Sequence, residues 1–254
     1  MLRVERLEKI LEIVDEKGVV TVDELMDRLG ASRSTIRRDL EQMDMGGKLK
    51  KTHGGAVRMD KPIVAELPLA VRQQMQTGEK ARIGKYAADM VQNGDTIAIC
   101  AGTTTFHMAA GLADKKDVTV LTNDIAIAAQ IAALEGCRLI VVGGMLKDDS
   151  MTLVGMFAES MLKELHVDTV FMSSDAVDPA VGFLDYNTDE ILIKRTMLEN
   201  SSRRVMLCDH RKFQNKAFMR ICDLTDVDEI ICGSELGEDM IGIVNEAGME
   251  IHIV

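Results

Sequence analysis

Basic and hydroxyl-bearing side chains are concentrated in two short segments near the N-terminus. These candidate residues are Ser32, Arg33, Ser34, Thr35, Arg37, Arg38, Lys50, Lys51 and His53. Arginine and lysine neutralise phosphates, arginine can read guanine through its bidentate fork, and serine or threonine hydroxyls donate to phosphates or base edges. This set of side chains is suited to binding double-stranded DNA.

A second set of polar and glycine residues follows five apolar, strand-like runs farther along the chain. Its members are Gly102, Thr103, Thr104, Thr105, Asn123, Gly143, Gly144, Asp175 and Lys212. A glycine-containing turn that opens a helix offers backbone N–H groups, three hydroxyls and the helix dipole to a phosphate. With a lysine as the countercharge, these residues predict a site for a small phosphorylated ligand.

Three helical patterns must position the first set. Apolar residues spaced i, i+3, i+4 and i+7 predict a helix over about 4–16. Thr21 and Glu24 form a candidate capping box before a short second helix that ends at Gly30, and Ser32 can cap a third. Two short helices around a tight glycine turn predict a helix-turn-helix, whose second helix can enter the major groove.

The charge of the chain is unevenly distributed. The net charge is −11, yet residues 28–58 contain eight basic and three acidic side chains. Segment 46–57 lies in this basic patch and is predicted to form a β-hairpin wing. The acidic total excludes nucleic-acid binding over the whole surface, whereas the local basic patch favours it at the N-terminal module.

Alternating strand-like and helical segments from residue 80 onward predict an α/β domain with a mainly parallel sheet. The strand-like runs are 96–100, 118–121, 139–142, 169–172, 205–208, 229–232 and 250–254. Open sheets of this kind bind ligands outside the carboxyl ends of their strands. Because the second set of residues follows those ends, we expect its five loops to converge on one pocket.

A chain of 254 residues accommodates one large domain or two unequal ones. Pro62 and Pro68 lie in a stretch without periodicity, so we expect a winged helix-turn-helix domain over 1–57, a linker over 58–78 and an effector-sensing α/β domain over 79–254. No apolar run has the length of a bilayer helix and no signal-peptide pattern opens the chain. We therefore expect a cytoplasmic protein without a membrane partner.

Several site classes are not indicated by the sequence. The P-loop and dinucleotide fingerprints are absent, so ATP and NAD are not expected. His107, His166 and His210 lack the spacing of metal ligands, and the five cysteines include no C-x-x-C pair. We expect no cofactor, no metal site, no catalytic residue and no disulfide.

Five motifs carry a resemblance to a known family. S-R-S-T-I-R-R-D-L (32–40) followed by K-K-T-H-G-G-A-V (50–57) resembles the DNA-binding domain of the DeoR family of bacterial transcriptional regulators. A-G-T-T-T (101–105), L-T-N-D (121–124) and D-H-R-K-F (209–213) resemble the sensor domain of that family. The resemblance implies a sensor fold similar to ribose-5-phosphate isomerase and an effector that is a phosphorylated sugar or a related metabolite.

The chain also departs from the family pattern. Cys100 and Ala101 stand where members often have an acid and a serine, S-S-D-A (173–176) replaces a glycine-rich G-A-x-G, and Lys51 replaces an arginine. The first two changes fall in the expected pocket. They weaken the case for isomerase-type proton transfer.

These observations predict a DNA-binding transcriptional regulator, a repressor of a carbohydrate catabolic operon, that acts as a homo-oligomer on operator DNA. One alternative is a sugar-phosphate isomerase-like enzyme with an appended helical module, in which Asp175, Asp178 or Asp185 is the base and Lys212 stabilises an enediolate. Another is an N-terminal module that binds protein, with an affinity insensitive to salt. The basic third helix favours the regulator, because an isomerase has no use for one.

Overall fold

The computed structural model describes residues 2–17, 19–46, 48–52, 54–57, 69–148 and 150–254. The candidate His53 and residues 58–68 of the predicted linker lie outside these ranges. The chain divides into two compact units, residues 1–75 and 76–254.

The first unit combines four helices with a small three-stranded sheet among its described residues. Its elements are α1 (Arg3–Lys17), β1 (Val19–Thr21), α2 (Val22–Leu29), α3 (Arg33–Met45), β2 (Lys50–Lys51), β3 (Gly55–Val57) and α4 (Leu69–Gln74). Ile10, Leu25, Ile36, Leu40 and Leu49 are fully buried in its core. The predicted helix-turn-helix and wing are therefore both present.

The wing differs from the expected hairpin because it has a third strand. The strand order is β1-β3-β2, with both pairs antiparallel. A Cβ atom at Gly55 would lie 1.9 Å from the carbonyl oxygen of Val20, so the close approach of β3 to β1 requires glycine.

The predicted capping box forms only in part. The hydroxyl of Thr21 accepts a hydrogen bond from the Glu24 backbone N–H at 3.2 Å. The Glu24 carboxylate instead pairs with Lys17. This part of the prediction is wrong, because a lysine on α1 competes for the carboxylate.

The second unit is an α/β domain. Its elements are α5 (Thr77–Met90), β4 (Thr96–Ile99), α6 (Thr103–Ala109), β5 (Val118–Thr122), α7 (Ile125–Ile131), β6 (Cys137–Val141), β7 (Met145–Leu146), β8 (Leu153–Val154), α8 (Met156–Leu162), β9 (Val167–Met172), β10 (Ala176–Asp178), β11 (Gly182–Asp185), α9 (Thr188–Glu199), β12 (Ser201–Cys208), β13 (Met219–Cys222), β14 (Glu229–Cys232), α10 (Glu238–Glu246) and β15 (Glu250–Ile253).

Seven of these strands form a parallel sheet in the order β15-β14-β12-β9-β4-β5-β6. Side chains alternate along β4: Ile97 and Ile99 enter one buried apolar cluster, while Ala98 and Cys100 enter another. The predicted fold class, with a mainly parallel sheet, is confirmed.

Two smaller sheets accompany the large one. Strands β7 and β8 form a hairpin, and β10, β11 and β13 form an antiparallel sheet. Within the described residues, no helix combines the length and the apolar character needed to cross a membrane.

Candidate nucleic-acid interface and effector pocket

Helix α3 presents its basic residues on one exposed face. The Ser32 hydroxyl caps the helix by accepting the Thr35 backbone N–H at 3.3 Å. Ile36 and Leu40 are fully buried on the opposite face, while Arg37 and Arg38 are exposed. The helix therefore turns two guanidinium groups outward.

Neighbouring carboxylates neutralise other candidates. Arg33 pairs with Asp23 of α2, and Lys51 of the wing pairs with Glu41 of α3. The hydrogen bond from Lys51 lowers the pKa of Glu41. Arg37 and Arg38 form no ion pair with any described residue, so their charges are not neutralised by a neighbouring carboxylate of the described part of the chain.

The second set of candidate residues follows five strands that are neighbours in the sheet. β6, β5, β4, β9 and β12 lie side by side and run in the same direction, so the loops after them share one edge. The Ala101 backbone N–H donates to Asn123 Oδ1 at 3.0 Å. Asp175 Oδ1 lies 3.6 Å from Lys212 Nζ. The structure brings these four residues together in two pairs at the edge.

The two glycines after β6 differ in their surroundings. A Cβ atom at Gly144 would lie 2.7 Å from the Val154 carbonyl oxygen, whereas one at Gly143 would meet no atom within 4 Å. Gly144 is therefore required for packing against β8. Gly143 leaves open space.

The three threonine hydroxyls after Gly102 have different environments. The Thr105 hydroxyl donates to the carbonyl oxygens of Cys100 and Gly102, at 2.7 and 2.9 Å. The Thr103 hydroxyl accepts from Lys80 Nζ at 3.0 Å. The Thr104 hydroxyl oxygen is buried without a hydrogen-bond partner among the described residues. The Thr105 hydroxyl therefore closes the turn in this structure, and the role of the three threonines in ligand binding stays a prediction.

Two buried lysines near this edge were not among the sequence-based candidates. Lys80 of α5 bonds Thr103, and Lys194 of α9 donates to the Ser173 carbonyl oxygen at 3.1 Å and to Asp185 Oδ2 at 2.5 Å. The spacing of Glu190 and Lys194 by four residues is the one local signal for Lys194, and these side chains lie 3.8 Å apart. Nothing in the local sequence marks Lys80.

Burial and neighbouring charges shift the pKa values of an aspartate and a lysine at this edge. Burial raises the pKa of Asp185 to about 7, against the opposing effect of Lys194. Burial alone would lower the pKa of Lys194, but the carboxylates of Asp185 and Glu190 raise it above its ordinary value. A cation is thus held at this position.

The three aspartates that the enzyme alternative considers as the base lie in different environments. Asp175 Oδ2 accepts the Tyr186 backbone N–H at 3.3 Å, and Asp185 is buried beside Lys194. Asp178 is exposed and accepts the Ala180 backbone N–H at 2.9 Å. Asp178 therefore does not share the environment of the other two.

One set of potential metal ligands occurs among the described residues, at Glu79, His210 and Glu235. Glu79 accepts both the backbone N–H and Nδ1–H of His210 at 2.8 Å, and Glu235 forms two hydrogen bonds with Arg82 at 2.7 and 2.8 Å. Each of the two carboxylates is therefore already hydrogen-bonded to a basic side chain, Glu79 to His210 and Glu235 to Arg82. The set joins distant parts of the sequence, so spacing gave no signal for it.

A cavity of about 440 Å³ lies away from the predicted pocket. Its lining residues are Arg195, Leu198, Glu199, Arg204, Arg220, Ile221, Cys222, Asp223 and Asp226. Arg195 and Arg204 are engaged with backbone carbonyl oxygens, and Arg220 pairs with Asp223. The basic and acidic side chains of this cavity are equal in number, so it offers no net charge to an anion.

A winged helix-turn-helix unit followed in the chain by an α/β unit is the architecture of a DNA-binding transcriptional regulator. Residues 6–62 match the DeoR-like helix-turn-helix domain, and residues 75–234 match the DeoR C terminal sensor domain. The chain belongs to the DeoR family.

The chain is also similar to individual proteins of known sequence or structure. An uncharacterized HTH-type transcriptional regulator, YulB of Bacillus subtilis, is 34% identical over 100% of this chain and 98% of its own. The glycerol-3-phosphate regulon repressor of Escherichia coli is 28% identical over 91% of this chain and 90% of its own. Ribose 5-phosphate isomerase from Plasmodium falciparum is 17% identical with a TM-score of 0.40, over 54% of this chain and 52% of that one.

Proposed function

We propose that the protein represses an operon of carbohydrate catabolism and that a phosphorylated sugar or related metabolite controls its binding to operator DNA. In this proposal α3 enters the major groove and the wing contacts the flanking backbone. The observation that carries the DNA-binding part is the pair of exposed guanidinium groups, Arg37 and Arg38, on a helix whose other face is buried.

The experiment for this part compares Arg37→Ala and Arg38→Ala with the wild type. Fluorescence anisotropy with duplex DNA from upstream of the chain's own gene measures affinity over a range of salt concentrations. A side chain that reads a base contributes about 1–3 kcal/mol, which is a loss of about 5- to 150-fold on removal. One that holds a phosphate reduces the salt slope by about 1.

Lys163→Ala is the matched control, because Lys163 is an exposed lysine of the second unit. We expect its affinity and salt slope to equal those of the wild type. Unchanged affinity and slope in both arginine variants would contradict DNA binding by α3. Binding of a protein partner with no salt dependence would favour the interaction-module alternative.

The effector part rests on the basic groups around the carboxyl ends of the strands. Lys80 donates to Thr103 at the start of α6, Lys194 contacts Ser173 after β9 and Asp185 at the end of β11, and Lys212 lies beside Asp175. Lys194 and Lys212 are each paired with an aspartate, and in this proposal the bound phosphate adds a second anionic partner for Lys212. A relative named for a glycerol-3-phosphate regulon supports a phosphorylated metabolite as the ligand class.

We assign the phosphate to the turn over residues 102–105, with Lys212 as countercharge and Asn123 and Asp175 toward the sugar hydroxyls. Binding would alter operator affinity by a coupling free energy that is typically about 1–3 kcal/mol. Titration calorimetry with pentose and hexose phosphates, and with the same sugars unphosphorylated, tests the ligand class. An isomerisation assay with the same panel tests the enzyme alternative.

Lys212→Ala is expected to reduce effector affinity at least about tenfold, since it removes a charge-assisted contact. Lys216→Ala, an exposed lysine four residues farther on, is the control and should bind as the wild type does. Equal affinities of the two variants would contradict the role of Lys212. If no phosphorylated sugar binds the wild type, the effector assignment is wrong while the DNA-binding proposal stands.

A further inference from the structure

An exposed apolar surface surrounds the β7–β8 hairpin. We call it the hairpin patch, and it consists of Ile125, Met145, Leu146, Met151, Met156 and Phe157. Met145, Met156 and Phe157 are the most exposed, at 67%, 73% and 69%. These side chains are large and flexible or aromatic, which are the types enriched in the cores of protein interfaces.

Backbone contacts make the patch continuous. The Ile125 backbone N–H donates to the Met151 carbonyl oxygen at 2.9 Å, which ties the start of α7 to the hairpin. Met145 is paired with Val154 across the hairpin, and its Cε lies 3.5 Å from the position a Cβ would take at Gly155. Met156 and Phe157 follow Gly155 directly, so the hairpin and the start of α8 form one surface.

The lysine of the hairpin does not place its charge on this surface. Lys147 follows Leu146, but its side chain is only 12% exposed and donates to Glu190 at 2.6 Å. The charge is thus directed toward α9 and away from the six apolar residues. A partner that covers the patch must therefore be apolar itself.

The area of the patch is that of an interface core. Large side chains contribute roughly 150–250 Å² each, so the exposed fractions amount to several hundred Å². The largest apolar patch of a typical monomer is about 300–600 Å² and often functional, and a standard interface buries about 800 Å² per partner. The patch therefore has the size of the apolar core of such an interface.

The occupant that fits these properties is a second copy of the chain. One recognition helix reads one half-site, and operators of helix-turn-helix proteins are two-fold symmetric. A two-fold interface places the same surface on both partners, and a patch without charged members meets itself without repulsion. We propose that the hairpin patch is the surface through which two copies of this chain pair. The argument from half-sites rests on the proposed DNA binding, whereas the argument from area does not.

Phe157→Glu tests the proposal, because it places a charge at the centre of the contact. Phe218→Glu is the matched control, since Phe218 is 53% exposed and lies outside the patch. Sedimentation equilibrium of the full-length chain at micromolar concentration, without DNA, measures the mass. We expect the wild type and Phe218→Glu to be dimers or larger, and Phe157→Glu to have half the mass or less.

A wild type that is monomeric, or a Phe157→Glu variant with the wild-type mass, would overturn the proposal. Circular dichroism verifies that the variant is folded, and Met156→Glu replaces it if it is not. Because the mass is measured without DNA, failure of operator binding by the wild type would be a separate result. It would contradict the proposed function and leave the interface as measured.

Discussion

Arg6 Nε donates to Asp39 Oδ2 at 2.6 Å. This hydrogen bond connects α1 to α3, the helix that carries Arg37 and Arg38. The Asp39 side chain is 2% exposed, although it is one position from an exposed arginine. Arg3 Nε lies 3.5 Å from its other oxygen. The orientation of the proposed recognition helix therefore depends on a buried carboxylate.

Asp39→Asn is expected to lower the free energy of unfolding of the first unit by about 1.5–3 kcal/mol, the contribution of a hydrogen bond to a charged group. Hydrogen-exchange mass spectrometry of peptides from α1 and α3 measures the loss of protection. Asp44→Asn, on the same helix but partly exposed, is the control. Equal protection in both variants would show that the Arg6–Asp39 contact contributes no stability.

The adjacent threonines Thr104 and Thr105 should respond in opposite ways to replacement by valine. Thr105→Val loses hydrogen bonds to two backbone carbonyl oxygens and should lower the free energy of unfolding by about 1–3 kcal/mol. Thr104→Val removes a buried hydroxyl oxygen without a partner among the described residues, so stability should be unchanged or higher. Urea unfolding measures both. If the Thr104 hydroxyl binds the effector, calorimetry will show about 1–3 kcal/mol weaker binding in that variant alone.

The contact between Glu79 and His210 should make stability depend on pH. The hydrogen bond that the His210 Nδ1–H donates to the Glu79 carboxylate raises the pKa of His210 above its ordinary 6.5. A raised pKa means that the folded state favours the protonated imidazole. The stabilisation is complete below pH 6.5 and is lost as the pH rises through the raised pKa.

The free energy of unfolding of the wild type minus that of His210→Asn should therefore decrease from pH 6 to pH 9, roughly the range in which histidine titrates. Chemical denaturation at a series of pH values measures this difference. In a Glu79→Gln background the decrease should be much smaller. A difference that is constant over this range would refute the charge interaction.

The cysteines of the sheet should resist alkylation in the folded protein. Burial raises the pKa of Cys100 and of Cys208 to about 12, so almost no thiolate forms near neutral pH. Iodoacetamide followed by mass spectrometry should leave both unmodified in buffer and modify them in urea. Rapid modification of either residue in buffer would indicate that the sheet opens at that strand end.

The periodicity of the sequence was sufficient to predict the large elements. The apolar spacing around Leu40 predicted α3, and the short apolar runs predicted the strands whose carboxyl ends carry the pocket residues. Such patterns arise because one face of a helix or strand packs against the core. They can therefore be recognised from the local sequence, without knowledge of the elements that pack against it. Asn123 lies beside Ala101 because β4 and β5 are neighbouring parallel strands, and this strand order came from the structure.

Long-range pairing could not be predicted in the same way. Lys80 contacts Thr103 because α5 packs beside α6. Lys194 of α9 contacts Asp185, which is the last residue of β11. Strands β7 and β8 have two residues each, which is too short for an alternating pattern. The hydroxyls of Thr103, Thr104 and Thr105 differ in their hydrogen-bond partners because of side-chain rotamers, which residue type does not determine.

The separate cores of the two units have an evolutionary consequence. The buried cluster of the first unit draws its members from residues 7–56, and the two clusters of the second unit begin at residue 83. Recombination between residues 57 and 76 would thus exchange one module without creating a cavity in the other. Descendants of one gene can acquire a new helix-turn-helix domain while they keep the sensor domain, and a chimeric regulator can be joined in the same interval.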